Sequence, residues 1–401
     1  MKQRQTPTGR WATRREQVNG AFLYHRPFHR PQSGLRRRFG WGMVMSRVEI
    51  LHLDDANAWT SYIDRLPSKY ITHYPRFLRV QEETGDGTAE CFVYQESGHL
   101  VLFPYLRRPL ARLPFGGDSF KGHCDIITAY CYGGPIHDLE TANESPPLLA
   151  NFRQAFHDHA LDSGVVTEFV RFHPHLQNHV GFEGLFDKLY QHQRNVVIDL
   201  DGGEEALLSR CRPTFRRYIR KAKSHGLTLR RESPGQFLES FAELYKVTMI
   251  RHGQTGYLNF PQGFFRALFA TLRDDIAVFS VRQEDKVAAA AVFLFFGENV
   301  EYFLGASDEA LLSHHPNHFM FYEASCWARE KRFKHLHLGG GKKSLIYFKR
   351  GFSKRSCSFY IGQTTHNREV CAELTALRDA WEGTERHWDP GFFPPYRRGM
   401  G

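Results

Sequence analysis

The residues best placed for chemistry lie in Gly339-Gly340-Gly341-Lys342-Lys343-Ser344 and in the stretch Tyr347-Phe348-Lys349-Arg350-Gly351-Phe352 that follows. Three glycines at a strand end let backbone N–H groups approach a ligand closely. A cation just beyond them could stabilise an oxyanion during acyl transfer, where one lost donor costs roughly 3 kcal/mol. The spacing G-x-x-x-x-G-K-[ST] of a nucleotide-phosphate loop is missing, so NTP chemistry is not indicated. A glycine loop followed by a solvated basic turn is the alternative reading.

Two further stretches carry suitable residue types. In Thr214-Phe215-Arg216-Arg217-Tyr218-Ile219-Arg220-Lys221-Ala222-Lys223, Arg216 and Arg220 share one helix face, as do Arg217 and Lys221. Such a face could clamp the phosphates of a carrier or tRNA, or could simply be solvated. In Asp125-Ile126-Ile127-Thr128-Ala129-Tyr130-Cys131-Tyr132-Gly133-Gly134-Pro135, tyrosines alternate with small residues in a way that suits a cleft wall or aromatic packing. Asp125 and His173 are the candidate acid/base groups.

The 22 histidines include the pairs His173/His175, His157/His159 and His335/His337, the last sharing a face if they lie in a strand. None comes with a carboxylate or cysteine at metal spacing, so no metal is expected. No Gly-x-Ser-x-Gly elbow is present, and no Ser-His-Asp set can be assembled. Seven cysteines without a CxxC pair read as reduced, mostly buried thiols of a cytoplasmic protein.

The elements that must position these residues follow from hydrophobic period and turn chemistry. A helix over 56–66 precedes a hairpin of strands 89–95 and 99–105 around Glu96-Ser97-Gly98. Glycine-rich loops, a helix over 148–163 and a strand over 165–172 follow. The order then recurs: a strand over 195–200, helices over 204–224, 237–252 and 260–273, and a meander of 276–282, 287–296 and 300–305. A helix over 316–331 and strands over 335–338 and 356–362 close it. The recurrence is of element order, without a residue-level repeat, and the fold class is α/β (α+β).

The longest apolar run, Val287 to Phe296, has strand length, not membrane length. The net charge of +10 sits almost wholly in residues 1–45, where ten Lys or Arg face one acid, Glu16. That segment, 1–45, reads as a basic disordered tail or as an over-extended start before Met43 and Met45. A nucleic-acid-binding function would rest on this charge alone.

Over about residues 48–398 the chain resembles the Fem-like, acetyltransferase-fold (GNAT) proteins, which include peptidoglycan-bridge aminoacyltransferases and exopolysaccharide-associated acyltransferases. The stretches that carry the resemblance, in order, are 125–135, Arg171-Phe172-His173-Pro174, 216–222, Gly305-Ala306-Ser307, Pro316-Asn317, Leu338-Gly339-Gly340, Phe348-Lys349-Arg350-Gly351-Phe352 and Phe393-Pro394-Pro395-Tyr396-Arg397. The resemblance implies tandem GNAT-like domains, 46–190 and 191–365, each a mixed central sheet flanked by helices, with a C-terminal helix and tail over 366–401.

It also implies roles. Lys349, beside Phe348, would stabilise the tetrahedral oxyanion. Gly339, Gly340, Gly341, Pro316, Asn317, Arg216 and Arg220 would face the donor, since a helix N-terminus offers free N–H groups to phosphate. Tyr132, Gly133, Gly134, Pro135, Arg171 and His173 would face the acceptor. The chain departs from the family in lacking a long coiled-coil arm after Lys223, in Cys131 where glycine is commoner, and in lacking the acetyl-CoA signature Q/R-x-x-G-x-G/A over 310–317. The implied function is transfer of an acyl or aminoacyl group, with acyl-CoA or aminoacyl-tRNA as co-substrate and no permanently bound cofactor. The acceptor would be an amine or hydroxyl of a cell-envelope precursor or polysaccharide. A non-catalytic relative binding a glycan or cell-wall precursor in the same cleft is the alternative. The expected location is the cytoplasm, including the inner face of the membrane.

Overall fold

The computed structural model describes residues 46–139, 146–254, 256, 258–382 and 391–399. The basic tail expected over 1–45 lies outside the described residues. Along the chain, β1 (Ser46–His52), α1 (Ala56–Asp64) and α2 (Pro75–Glu83) precede β2 (Thr88–Glu96), β3 (His99–Pro109) and β4 (Cys124–Ile127). The short β5 (Ile136–His137), α3 (Pro146–Asp162), β6 (Val165–Arg171) and β7 (Lys188–Asp199) come next. Then follow α4 (Glu204–Arg210), α5 (Pro213–Ser224), β8 (Leu227–Glu232), α6 (Pro234–Arg251) and α7 (Gln262–Thr271). The meander β9 (Ile276–Gln283), β10 (Lys286–Phe296) and β11 (Asn299–Ser307) leads to α8 (Pro316–Glu330) and β12 (His335–Gly339). The short α9 (Lys343–Lys349), β13 (Ser356–Thr365) and α10 (Arg368–Glu382) complete the described elements.

All thirteen strands among the described residues join one sheet, in the order β1-β2-β3-β4-β6-β13-β7-β12-β11-β10-β9-β8, with β5 attached to β3. The antiparallel run β1 to β4, ending on a parallel neighbour β6 reached through α3, has a counterpart. It is the run β8 to β11, ending on the parallel β12 reached through α8. Between these runs lie β13 and β7, antiparallel to each other. Residues 190 and 191, the boundary expected from sequence, are consecutive residues of β7.

Local sequence explains most boundaries. Ser97 (φ 51°) and Gly98 (φ 89°) take the left-handed conformations that the tight β2–β3 turn demands. The helix expected over 204–224 is two helices, because Pro213 lacks an N–H and pushes Arg212 into an extended conformation. β7 starts at Lys188, before the expected 195, and its first half is largely exposed, leaving no alternation to read. The glycine loop is likewise followed by a helix, α9, too short to show a period.

Helices cover both faces. On one face α1, α2, α6 and α7 bury Trp59, Phe77, Phe241 and Phe265 in a core spanning both runs of strands. On the other, α3 packs Phe152 and Phe156 over β2, β3 and β6, while α5 and α8 bury Phe215, Ile219, Phe319 and Met320 over β9 to β12. No helix among the described residues is long and apolar enough to cross a membrane.

Candidate active site

The parallel strands β11 and β12 pair only through Asn299↔His335, Val300↔Leu336 and Glu301↔His337. Beyond that point β11 runs on to Ser307 and β12 to Gly339 without pairing to each other. The last pair before the strands part is a carboxylate opposite an imidazole. Glu301 is 1% exposed and His337 0%, with His337 Nδ1 3.4 Å from Glu301 Oε1. The other carboxylate oxygen, Glu301 Oε2, has no hydrogen-bond partner.

Lys349 ends α9 and turns inward: it is 4% exposed, and its Nζ donates to the carbonyl of Gly340 at 2.7 Å. Its ammonium also lies 5.4 Å from the centre of the Tyr302 ring. Burial pulls the Lys349 amine down to about 8, while Cys131 and Glu301 act to raise it. Phe348 does not share this space. Its ring packs against Phe215, His318, Phe321 and Phe352 and so fixes the helix that carries Lys349.

Tyr132 reaches the same place from the other run of strands. Its hydroxyl accepts from Asn195 Nδ2 at 2.8 Å. A Cβ on Gly339 (φ +73°) would lie 3.6 Å from Tyr132 Oη and 3.7 Å from Lys349 Nζ, so both groups face the space beside that backbone. Around them stand Tyr70, whose ring centre is 4.2 Å from that of His173, and His175, whose ring centre is 5.2 Å from that of His337. Burial raises the phenols of Tyr70 and Tyr132 well above their ordinary value, with Glu301 adding to the effect, so both remain hydrogen-bond donors. Burial lowers His173 well below its ordinary value, His73 to about 4 and His175 to about 3. His337 differs: burial lowers it, but the nearby Cys357 and Glu301 side chains outweigh burial and hold it at about 9, although neither ring nitrogen makes a well-formed hydrogen bond. The atoms Tyr70 Oη, His173 Nδ1 and Nε2, and Asn195 Oδ1 lack partners. Such unpaired buried groups are costly and mark a polar site rather than a packed core.

Of the residues singled out from sequence, Lys349, Gly339, Gly340, Tyr132 and His173 come together here. Gly341 stands beside them, with its N–H 3.3 Å from Gln193 Oε1. Gly133, Gly134 and Pro135 shape the loop that presents Tyr132. Asn178 Nδ2 donates to the carbonyls of Gly133 and Pro135 at 2.8 Å each, and Gly134 (φ +90°) lies against Phe172 and Val170. Pro316 and Asn317 open α8, the crossover between the parting strands, capped by His315 in the left-handed conformation. Arg216 and Arg220 sit on the outer face of α5, the helix packed on α8, and Arg216 donates to the Ser209 carbonyl at 3.4 Å.

Asp125 is the correction. It lies in β4 at 0% exposure, accepting from Arg108 Nε at 2.7 Å and from Arg397 Nε. Held between two guanidinium groups and sharing no partner with Lys349, it ties the C-terminal segment to the sheet and is not placed as an acid/base group.

That segment closes one wall of a cleft of about 1220 Å³. Phe392, Phe393 and Pro394 face Phe169, Arg171, Tyr190, His192 and Tyr360 across it. Arg171 also donates to the Thr128 carbonyl at 3.0 Å. Phe169 and Ile361 of this wall belong to or pack on the small apolar cluster that includes Tyr132 and Phe359, although neither Tyr132 nor Lys349 lines the cleft itself.

Sequence reasoning missed Glu301, Tyr70 and Asn195, and noted His337 only as the strand-face partner of His335. Glu301 left a trace: it is a lone acid in the otherwise uncharged strand Asn299–Ser307. Among the described residues no group of three or more His, Cys, Asp or Glu side chains is arranged to hold a metal ion.

Residues 209–350 match the acetyltransferase (GNAT) domain family. Over that stretch the chain is similar to acetyltransferase (GNAT) domains. FemX has the same fold over 81% of this chain and 99% of its own, with a TM-score of 0.60 at 16% identity. A conserved protein of unknown function from Bacteroides thetaiotaomicron aligns over 80% of this chain and all of its own, with a TM-score of 0.50 at 10% identity. No curated protein sequence matches the chain.

Proposed function

We propose that the protein is an acyltransferase whose reaction centre is the fork between β11 and β12. The observation that carries this reading is the convergence of Lys349 Nζ and Tyr132 Oη on the Gly339 backbone, next to the Glu301–His337 pair. An acceptor amine or hydroxyl attacks the carbonyl carbon of an activated acyl ester or thioester. The developing oxyanion is stabilised by the Lys349 ammonium, with the Tyr132 hydroxyl as a second donor. The Glu301 carboxylate, with Oε2 unpartnered, is the base that a sugar hydroxyl would need.

The donor, acyl-CoA or aminoacyl-tRNA, enters along the parted strands, where the α8 N-terminus at Pro316 and Asn317 and the outer face of α5 offer positive charge to phosphate. The acceptor, a cell-envelope precursor or polysaccharide, occupies the aromatic cleft lined by Phe169, Tyr190 and Tyr360, with Arg171 on its wall. The two matching runs of strands support a tandem pair of GNAT-like domains, and the site lies where their central strands meet. A cytoplasmic location suits either donor.

Thermal shifts with acetyl-CoA, longer acyl-CoAs and aminoacyl-tRNA identify the donor, since a ligand at a hundred times its dissociation constant adds about 2.7 kcal/mol. Lys349→Ala then separates an enzyme from a glycan-binding relative. The enzyme loses turnover and keeps donor affinity; a wild-type protein that binds the glycan but turns over none of the donors contradicts the proposal.

A further inference from the structure

Acidic residues are missing from two long stretches of the chain. Residues 206–231 hold nine Lys or Arg and residues 331–368 hold ten, without one Asp or Glu in either. Over the rest of 46–401 acids outnumber bases, so positive charge is gathered in these two stretches. The fold brings them together. At the start of α5, the Arg212 backbone N–H donates to the Gly351 carbonyl at 2.7 Å, and the Arg212 guanidinium lies 4.4 Å from the centre of the Tyr347 ring. Phe215 of α5 packs on Phe348 of α9. Arg216 and Arg220 follow Arg212 along one side of α5, at intervals of four residues.

Elsewhere in the two stretches several cations are neutralised: Arg210 by Asp201, Lys223 by Glu323, Lys334 by Glu298 and Arg355 by Asp199. Around α9 they are not. Lys342, Lys343, Arg350 and Lys354 are exposed and Arg212 is half-buried, and among the described residues none of the five joins a salt bridge. The helix itself stands out from the surface. Of Lys343–Lys349 only Lys349 is buried, while Leu345 is 42% exposed and Tyr347 67%. One short helix thus carries the buried lysine of the reaction centre and two bare apolar side chains, ringed by cations without counter-charges.

That combination discriminates among anionic partners. Cations alone would suit any phosphate, but an exposed leucine beside an exposed tyrosine suits a partner with an apolar layer beneath its phosphates. Tyrosine settles at the boundary between headgroups and acyl chains, and Lys or Arg beside it is attracted to anionic headgroups. The exposed Val247 and Ile250 of α6 differ, because Glu239 and Glu243 lie on the same helix and would be repelled there.

We propose that α9 and its cationic rim are the surface by which the protein docks on an anionic phospholipid bilayer. Leu345 and Tyr347 enter the boundary between headgroups and acyl chains, and Lys342, Lys343 and Arg350 rest on lipid phosphates. Docking does not depend on the acyltransferase reading. Where that reading holds, docking brings the helix that carries Lys349 to the membrane surface.

The test is flotation of the full chain with vesicles of phosphatidylcholine alone, and of a three-to-one mixture of phosphatidylcholine and phosphatidylglycerol. Hydrogen exchange read by mass spectrometry then locates the contact. Wild type should float only with the mixture, and those vesicles should slow exchange over 342–350. Lys342→Gln/Lys343→Gln should weaken binding by about 30-fold, the scale of two cations at an anionic surface. Leu345→Ser/Tyr347→Ser should weaken it by about 10-fold, the scale of two partly inserted side chains. Both variants alter exposed residues, and an unchanged melting temperature shows that they fold. The basic segment 1–45 is common to every protein compared, so whatever binding it supplies is the same throughout. A wild type that does not float, protection confined to 1–45, or wild-type affinity in either variant overturns the proposal. Bulk RNA is the remaining arm: if RNA slows exchange over 342–350 and vesicles do not, the surface is a nucleic-acid site and the proposal fails.

Discussion

At the residue scale the site depends on where charge is kept. Lys349 is lowered to about 8 by burial and supported from the other side by Glu301, the buried carboxylate among the groups around it. The remaining titratable neighbours are Cys131, Tyr132, Tyr70 and Tyr302, all raised and hence neutral near pH 7, and the His337 imidazolium. The ammonium is lost as pH rises through about 8, so turnover should fall on the alkaline side of that value. Glu301→Gln removes a charge that raises Lys349 and should move the alkaline midpoint to lower pH. A pH–rate profile that is unmoved in this variant would show that Glu301 does not act on Lys349. This part of the site was half legible in sequence. Lys349 and Phe348 belong to a short contiguous motif, but Glu301, His337 and Asn195 meet only through strand register, which no spacing along the chain reveals.

At the scale of elements, two anchors hold the site's walls. Gly351 follows α9, and a Cβ there would lie 2.0 Å from Phe215 Cε2. Gly351→Ala must push α5 away from α9, an overpacking that costs about 1–3 kcal/mol. The melting temperature should fall, and turnover should fall further, because Phe215 also packs on Phe348 and so positions Lys349. Unchanged turnover in a folded variant would mean that α9 tolerates the shift. The other anchor is Asp125. Asp125→Asn leaves Arg108 and Arg397 around a neutral side chain, and breaking a buried pair of this kind costs about 3–5 kcal/mol. The variant should melt earlier, yet keep the alkaline midpoint of turnover near that of the wild type. A midpoint that moves would return Asp125 to the chemistry. Sequence could not assign this role, since Asp125 and Arg397 are joined only by the folded chain.

At the scale of the whole molecule, the recurring element order could be read from hydrophobic period, whereas the joining of the runs could not. β13 comes late in the chain yet lies between β6 and β7, where it pairs with both. Only tertiary structure places it there. The central site is rich in buried imidazoles, and these set how stability responds to pH. His73 and His175 titrate at about 4 and about 3 when folded, below their ordinary 6.5. The unfolded chain therefore takes up protons that the folded one refuses, and stability present above about pH 6.5 is lost as pH falls. Each such histidine contributes up to about 1.4 kcal/mol per pH unit in that window. His337, raised to about 9, acts oppositely: its contribution is intact below about 6.5 and fades as pH rises through about 9. His175→Phe should flatten the acid limb of stability measured by urea titration, by roughly one proton's worth of slope. A limb as steep as that of the wild type would mean His175 is protonated in the folded protein.

The most direct measurement is single-turnover acyl transfer from acetyl-CoA, a longer acyl-CoA and aminoacyl-tRNA between pH 6 and 10, by wild type and Lys349→Met. With the donor that is used, the wild-type rate should hold up to about pH 8 and then decline. Lys349→Met should be slower by about 100- to 1000-fold at every pH, with donor affinity retained. A Lys349→Met protein that transfers the acyl group at the wild-type rate would contradict the assignment of this fork as the reaction centre.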